Sequence, residues 1–145
     1  LGDQHKIDAR KNLKLWWAHG HSPWTKLAPR SGLQLHSENA PILRMPFKEW
    51  TIPLGEMALL IRRRTTGGEV VSFAVVLVAV LHGEWHAVTR HDTAHGFAHR
   101  EVLGLTEGLR GKLLCCTLSH KQAFQYAICD LKQNAEIYLA DFLAH

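Results

Sequence analysis

Apolar and polar positions change character near residue 57. Met57 to Arg64 opens on an apolar run and closes on three arginines, Arg62, Arg63 and Arg64. Thr65-Thr66-Gly67-Gly68 then reads as a turn, because glycine takes positive φ at no steric cost. Glu69 to Leu81 is rich in valine, and its β-branching favours a long central strand over a helix. His82-Gly83-Glu84 is a second tight turn, and Trp85 to Asp92 a third strand. Two short turns between three strands predict an antiparallel meander. Strict alternation over the third strand puts Trp85, Ala87, Thr89 and His91 on one face. It puts His86, Val88, Arg90 and Asp92 on the other.

Val102 to Gly111 reads as a loop punctuated by Gly104, Gly108 and Gly111, and Lys112 to Leu118 as a fourth strand. Ser119 and Gln122 have the spacing of a capping box, which starts a helix over about His120 to Leu143. Phe124, Ile128, Leu131, Ala135, Tyr138 and Phe142 form its apolar stripe, and Lys121, Lys132, Asn134 and Glu136 its solvated face. The expected fold is α+β: an antiparallel meander sheet of about four strands with a long C-terminal helix packed on one face. The core domain spans 57–145.

Residues 1–56 are different. They hold all five prolines and four of the five tryptophans, with eight lysines and arginines against five acids. An irregular, basic N-terminal arm is expected, its tryptophans packed on a core or offered to the bases of single-stranded nucleic acid. Net charge is +4 with histidine neutral, and the pI is about 9.2. That balance permits an acidic partner such as RNA without requiring one. Three cysteines cannot all pair internally. Each is read as a small buried hydrophobe in a reducing compartment. The longest apolar run, Phe73 to Leu81, falls short of the ~20 residues a helix needs to cross a bilayer. No apolar run precedes a cleavage site near residue 1. A cytoplasmic location and no membrane partner are expected.

Candidate chemistry concentrates in Trp85 to Arg100, which reads W-H-A-V-T-R-H-D-T-A-H-G-F-A-H-R. His91, His95 and His99 are spaced by four, as zinc ligands on a helix would be. A strand precedes them and Gly96 interrupts them, so the helical site fails; two histidines with Asp92 remain an open metal alternative. The expectation is no metal and no cofactor. A second reading is acid–base chemistry on a phosphodiester. His95 and His99 would be the catalytic pair and Asp92 the carboxylate orienting a histidine, with Arg90 and Arg100 as the substrate-binding phosphate ligands. The third reading is structural: Asp92 caps the turn, Arg90 pairs with it, and the histidines satisfy loop backbone groups.

The span from Met57 onward resembles a family of small prokaryotic proteins that share an R-x-D-T-A-H-G-x-x-H-R core, here Arg90 to Arg100. That family often has an aromatic where this chain has His91, so the resemblance does not carry over to His91. The organisation is also similar to TumE-type toxins of toxin–antitoxin pairs. That likeness implies a cytoplasmic protein acting on RNA or a nucleotide, neutralised by an antitoxin-like partner. The leading expectation is a toxin-like protein acting on RNA as a metal-independent hydrolase. The alternatives are a non-catalytic nucleic-acid or protein binding module and a metal-dependent hydrolase.

Overall fold

The computed structural model describes residues 47–94, 96–114 and 119–145. The arm up to residue 46, His95, Cys115, Cys116 and the end of the expected fourth strand lie outside the described residues. The chain divides into two compact units, Leu1–Phe47 and Lys48–His145, and the second holds one sheet and one helix.

The sheet has six strands in sequential order, all antiparallel: β1 (Lys48–Leu54), β2 (Met57–Thr66), β3 (Glu69–Leu81), β4 (Glu84–Asp92), β5 (His99–Gly104) and β6 (Gly108–Leu114). The helix α1 (His120–Ala144) follows. The α+β meander with one C-terminal helix is as the sequence predicts; the count of about four strands is corrected to six. One added strand, β1, lies among the prolines of the expected arm. Pro53 is tolerated there because, among the described strands, β1 lies at the edge of the sheet. The other correction is at the glycines. Gly104 and Gly108 are the ends of a β5–β6 hairpin, not the body of a loop. Gly108 has a φ of +71°, and a Cβ on Gly104 would stand 2.9 Å from the carbonyl carbon of His145.

Met57 to Ile61 and Val75 to Ala79 are buried at every consecutive position, so both faces of the sheet centre are covered. α1 lies mainly across β3 and β4, through Phe124, Ala127, Leu131, Ala135 and Phe142. Phe124 meets Phe73 edge-on at 5.5 Å and Trp50 at 6.1 Å. Ser119 and Gln122 form the expected capping box. At the far end the β5–β6 turn supplies donors to carbonyls that a helix leaves unpaired. The Leu105 N–H donates to the Phe142 carbonyl at 3.0 Å, and the Glu107 N–H to the His145 carbonyl at 3.1 Å. Cys129 is exposed, against the expectation of a buried thiol.

The β3–β4 register shifts between Leu77 and Val78. Leu77 pairs with Thr89 and Val78 with Ala87, so Val88 is an extra residue in β4. A bulge reverses the alternation beyond it. His86 therefore shares the helix face with Thr89 and His91: its ring lies 6.5 Å from Phe142, while His91 meets Asp130 of α1. Trp85 and Ala87 join Arg90 and Asp92 on the opposite face. The face assignment read from strict alternation is corrected in this half of the strand.

Candidate functional site

β4 and β5 form a hairpin closed by residues 93–98. Its register sets Asp92 opposite His99, His91 opposite Arg100 and Arg90 opposite Glu101. Alternation then sorts the polar residues by face. Arg90, Asp92, His99 and Glu101 stand together on the face away from α1. Thr89, His91 and Arg100 stand on the helix face.

The loop between the strands is tied down locally. The Asp92 Oδ1 accepts from the Ala94 N–H at 2.9 Å, and the Thr93 Oγ1 accepts from the Phe73 N–H at 3.0 Å. Gly96 turns the chain at a φ of +84°.

The first cluster is a closed set of charges. Arg90 reaches Asp92 through Nε at 2.6 Å and Glu101 through Nη2 at 3.0 Å. The His99 Nε2 lies 3.1 Å from Asp92 Oδ1 and 3.8 Å from Glu101 Oε1. Its Nδ1 faces the Phe97 carbonyl at 3.2 Å. Both ring nitrogens thus point at acceptors, which a doubly protonated imidazolium satisfies and a neutral ring does not. The Glu101 carboxylate raises the His99 pKa above its ordinary value. Burial opposes this and the Asp92 charge reinforces it. Burial alone would raise the Glu101 carboxyl; the His99 and Arg90 contacts overcome it and bring the pKa down to about 2. With His99 protonated, two cations face two carboxylates. Lys112 adds a third cation at the rim, 3.5 Å from Glu101. His99 is 0% exposed and the other three are 5% or less.

Asp92, His99 and Glu101 also form a group whose donor atoms lie within 4.8 Å of one another, the mixed oxygen and nitrogen set that a divalent cation takes. Arg90 already bonds both carboxylates, so the charge a cation would supply is in place.

The second cluster joins the helix face to α1. Tyr126, Asp130, Asn134 and Tyr138 recur every four residues and so lie on one side of the helix. The His91 Nε2 meets Asp130 Oδ2 at 2.8 Å. The Tyr138 hydroxyl donates to the same carboxylate at 2.7 Å, and the Asn134 amide at 2.9 Å. Burial would raise the Asp130 carboxyl, but His91 and Tyr138 hold it below the usual range. Burial and the Asp130 bond push the Tyr138 hydroxyl up to about 12. The Arg100 guanidinium stacks on the Tyr138 ring at 4.5 Å and donates to the Thr89 hydroxyl at 3.1 Å.

Of the residues singled out in the sequence, Arg90, Asp92 and His99 converge. Arg100 lies on the other face and does not join them. His95 is outside the described residues. Glu101 and Asp130 escaped the sequence reading, and Asn134 and Tyr138, read there as part of the solvated face and of the apolar stripe, both bond Asp130. A signal existed for Asp130, Asn134 and Tyr138, the four-residue recurrence of polar and aromatic positions in Y-x3-D-x3-N-x3-Y. Glu101 follows His99 by two, a strand spacing that means nothing unless His99 to Gly104 is recognised as a strand.

Among the described residues no helix is long and apolar enough to cross a membrane. No curated protein and no solved structure matches the chain. Residues 45–145 match a family described as Domain of unknown function (DUF7718), a span that begins just before β1 and takes in the whole sheet and helix. The chain belongs to that family.

Proposed function

We propose that this protein is a cytoplasmic, toxin-like RNA-binding module that acts by holding RNA, with the β4–β5 charge cluster as a structural base under its binding surface. The observation that carries this reading is the enclosure of His99. It has no exposed surface, with its Nε2 3.1 Å from Asp92 and its Nδ1 3.2 Å from the Phe97 carbonyl. A proton-transfer group must come within hydrogen-bond reach of the substrate, so catalysis by His99 with Asp92 draws no support from this arrangement. Arg90 is likewise spent on Asp92 and Glu101, and Arg100 on Tyr138. The metal-dependent hydrolase is the weaker alternative, because Arg90 holds the two carboxylates a metal would need. RNA binding draws support from the net charge of +4 and from Arg63 and Lys121, at the same sheet end as Thr93. An antitoxin-like partner belongs to the same proposal, as the protein that would cover this surface.

The test is fluorescence polarisation of the full chain with a short, labelled single-stranded RNA across a salt series. Binding that weakens steeply as salt rises is expected, with the RNA left intact. His99→Gln and Asp92→Asn should bind as the parent does wherever they remain folded. Absence of binding at low salt, or cleavage that the His99 substitution abolishes, would overturn the reading.

A further inference from the structure

The three consecutive arginines of β2 have different fates. Alternation sends Arg62 and Arg64 to the face away from α1, where Arg62 bonds Glu49 at 2.7 Å. Arg64 is buried, and burial with the nearby Arg62 charge lowers its pKa. Arg63 turns to the helix face. Its guanidinium lies 5.4 Å from the Trp50 ring centre and 5.3 Å from that of Phe124, held between two aromatic surfaces. Its Nε is buried and has no hydrogen-bond partner. A donor left in that state costs free energy.

Arg63 lines a cavity of about 280 Å3, with Thr65, Gly68, Val70, Lys121, Phe124 and Gln125 as the other walls. Two of these seven residues are cationic and none is acidic. Thr65 and Gln125 offer neutral polar groups, and Phe124 and Val70 offer apolar surface. Thr65, Gly68, Lys121 and Gln125 are exposed, so the cavity opens to solvent. Its volume stands near the lower end of the roughly 300–1,000 Å3 typical of small-ligand sites. This combination suits a phosphate beside a flat, partly apolar group. A guanidinium and an ammonium take the charge, a threonine hydroxyl adds a hydrogen bond, and an aromatic wall takes the ring.

The cavity also sits where the RNA reading needs it. Arg63 pairs with Phe73 in the sheet, and Phe73 bonds Thr93 at the start of the 93–98 loop. The cavity and the loop therefore occupy one end of the sheet.

We propose that the cavity between the β2–β3 turn and the first turns of α1 is a nucleotide phosphate subsite, with Arg63 and Lys121 as its ligands. It deepens the RNA reading and rests on it for the identity of the polymer, but the subsite can be tested alone. Polarisation with labelled single-stranded RNA would be measured for the parent chain, Lys121→Ala and Arg63→Gln. The amide spectrum of the parent would be followed during titration with AMP and with inorganic phosphate. Lys121 is exposed, so its substitution leaves the fold intact even if Arg63→Gln does not. Lys121→Ala should weaken RNA binding about tenfold, as expected for one charge-assisted contact. AMP should shift the amides of Gly68, Val70 and Gln125 and displace the RNA. Phosphate acting as well as AMP would identify the phosphate alone as the group recognised and also supports the subsite. If Lys121→Ala binds RNA as tightly as the parent and AMP leaves those amides unmoved, the subsite is overturned while the RNA reading stands. If the parent binds no RNA, that reading fails, and the AMP titration alone decides the subsite.

Discussion

Replacing Glu101 by glutamine removes one charge from the closed cluster and keeps its shape. The magnitude follows from the carboxyl's own titration. Its pKa falls from 4.5 to about 2 on folding, although burial by itself pushes the other way. Each tenfold change in that equilibrium is worth about 1.4 kcal/mol, so the ionised carboxylate contributes about 3 kcal/mol at pH 7. Glutamine resembles the protonated acid, and Glu101→Gln should cost about that much at pH 7, within the range for breaking one side of a buried pair. A depressed carboxyl pKa gives stability that is complete above the unfolded value of 4.5 and is lost as pH falls toward 2. At pH 3 the substitution should therefore cost only about half as much. His99 works in the opposite sense. Its raised pKa gives stability that is complete below the ordinary value of 6.5 and is lost as pH rises through the folded-state value. The parent chain should be most stable between about pH 4.5 and pH 6.5.

Urea unfolding followed by circular dichroism at pH 3, 5 and 7 measures both effects. Nuclear magnetic resonance titration of the His99 ring gives the partner's response, and the ring pKa should drop in the variant because one of its two carboxylates is gone. A cost below about 1 kcal/mol at pH 7, or one that does not shrink on acidification, would refute the claim that charge holds this cluster together.

Two further substitutions probe the helix. Tyr138→Phe removes the hydroxyl that donates to Asp130 at 2.7 Å and should destabilise the chain by about 1–2 kcal/mol in urea unfolding. No change would mean that water replaces the hydroxyl. Gly104→Ala would place a methyl 2.9 Å from the His145 carbonyl carbon, backbone that cannot yield cheaply, and should cost about 1–3 kcal/mol. Gly111→Ala is the control, since a Cβ there meets nothing within 4 Å. Equal thermal stability of the two variants would show that the β5–β6 turn does not hold the end of α1.

The elements most legible in the sequence are those whose boundaries are written in local chemistry. β2, β3 and β4 are separated by glycine turns, and Ser119 with Gln122 marks the start of α1. What escaped depends on partners distant in sequence. Nothing around Val88 announces a bulge; it exists because β3 and β4 pair as they do, and it decides which side of the sheet receives Trp85 and His86. β5 and the first half of β6 were hidden by glycines, which serve equally as loop punctuation and as strand ends against another backbone. β1 was hidden by Pro53, which argues against a central strand but not against an edge. The candidate site divided in the same way. Local spacing brought Arg90 and Asp92 to one face, but only the pairing of β4 with β5 shows that His99 joins them and that Arg100 does not.

A buried charge cluster is a poor means of stabilising a sheet, because desolvation offsets most of the Coulomb attraction and apolar residues of equal size often serve as well. Its advantage is discrimination. Slipping β5 by one residue against β4 would carry His99 and Glu101 to the helix face and bring Arg100 to theirs. In one direction Arg90 would then face Arg100; in the other Glu101 would come opposite His91, beside Asp130. Either slip takes Glu101 away from Arg90, whereas valines in the same places would tolerate both. The four charges thus specify how the hairpin closes. The hairpin starts its loop, at Thr93, from the same end of the sheet as the Arg63 cavity, so the same charges fix the surface on which the RNA reading depends. Glu101→Gln tests this as well as stability. If its β4 and β5 amides keep one set of signals and the parent's cross-strand contacts, packing alone selects the register. A second set of signals confined to β4 and β5 would show that charge does.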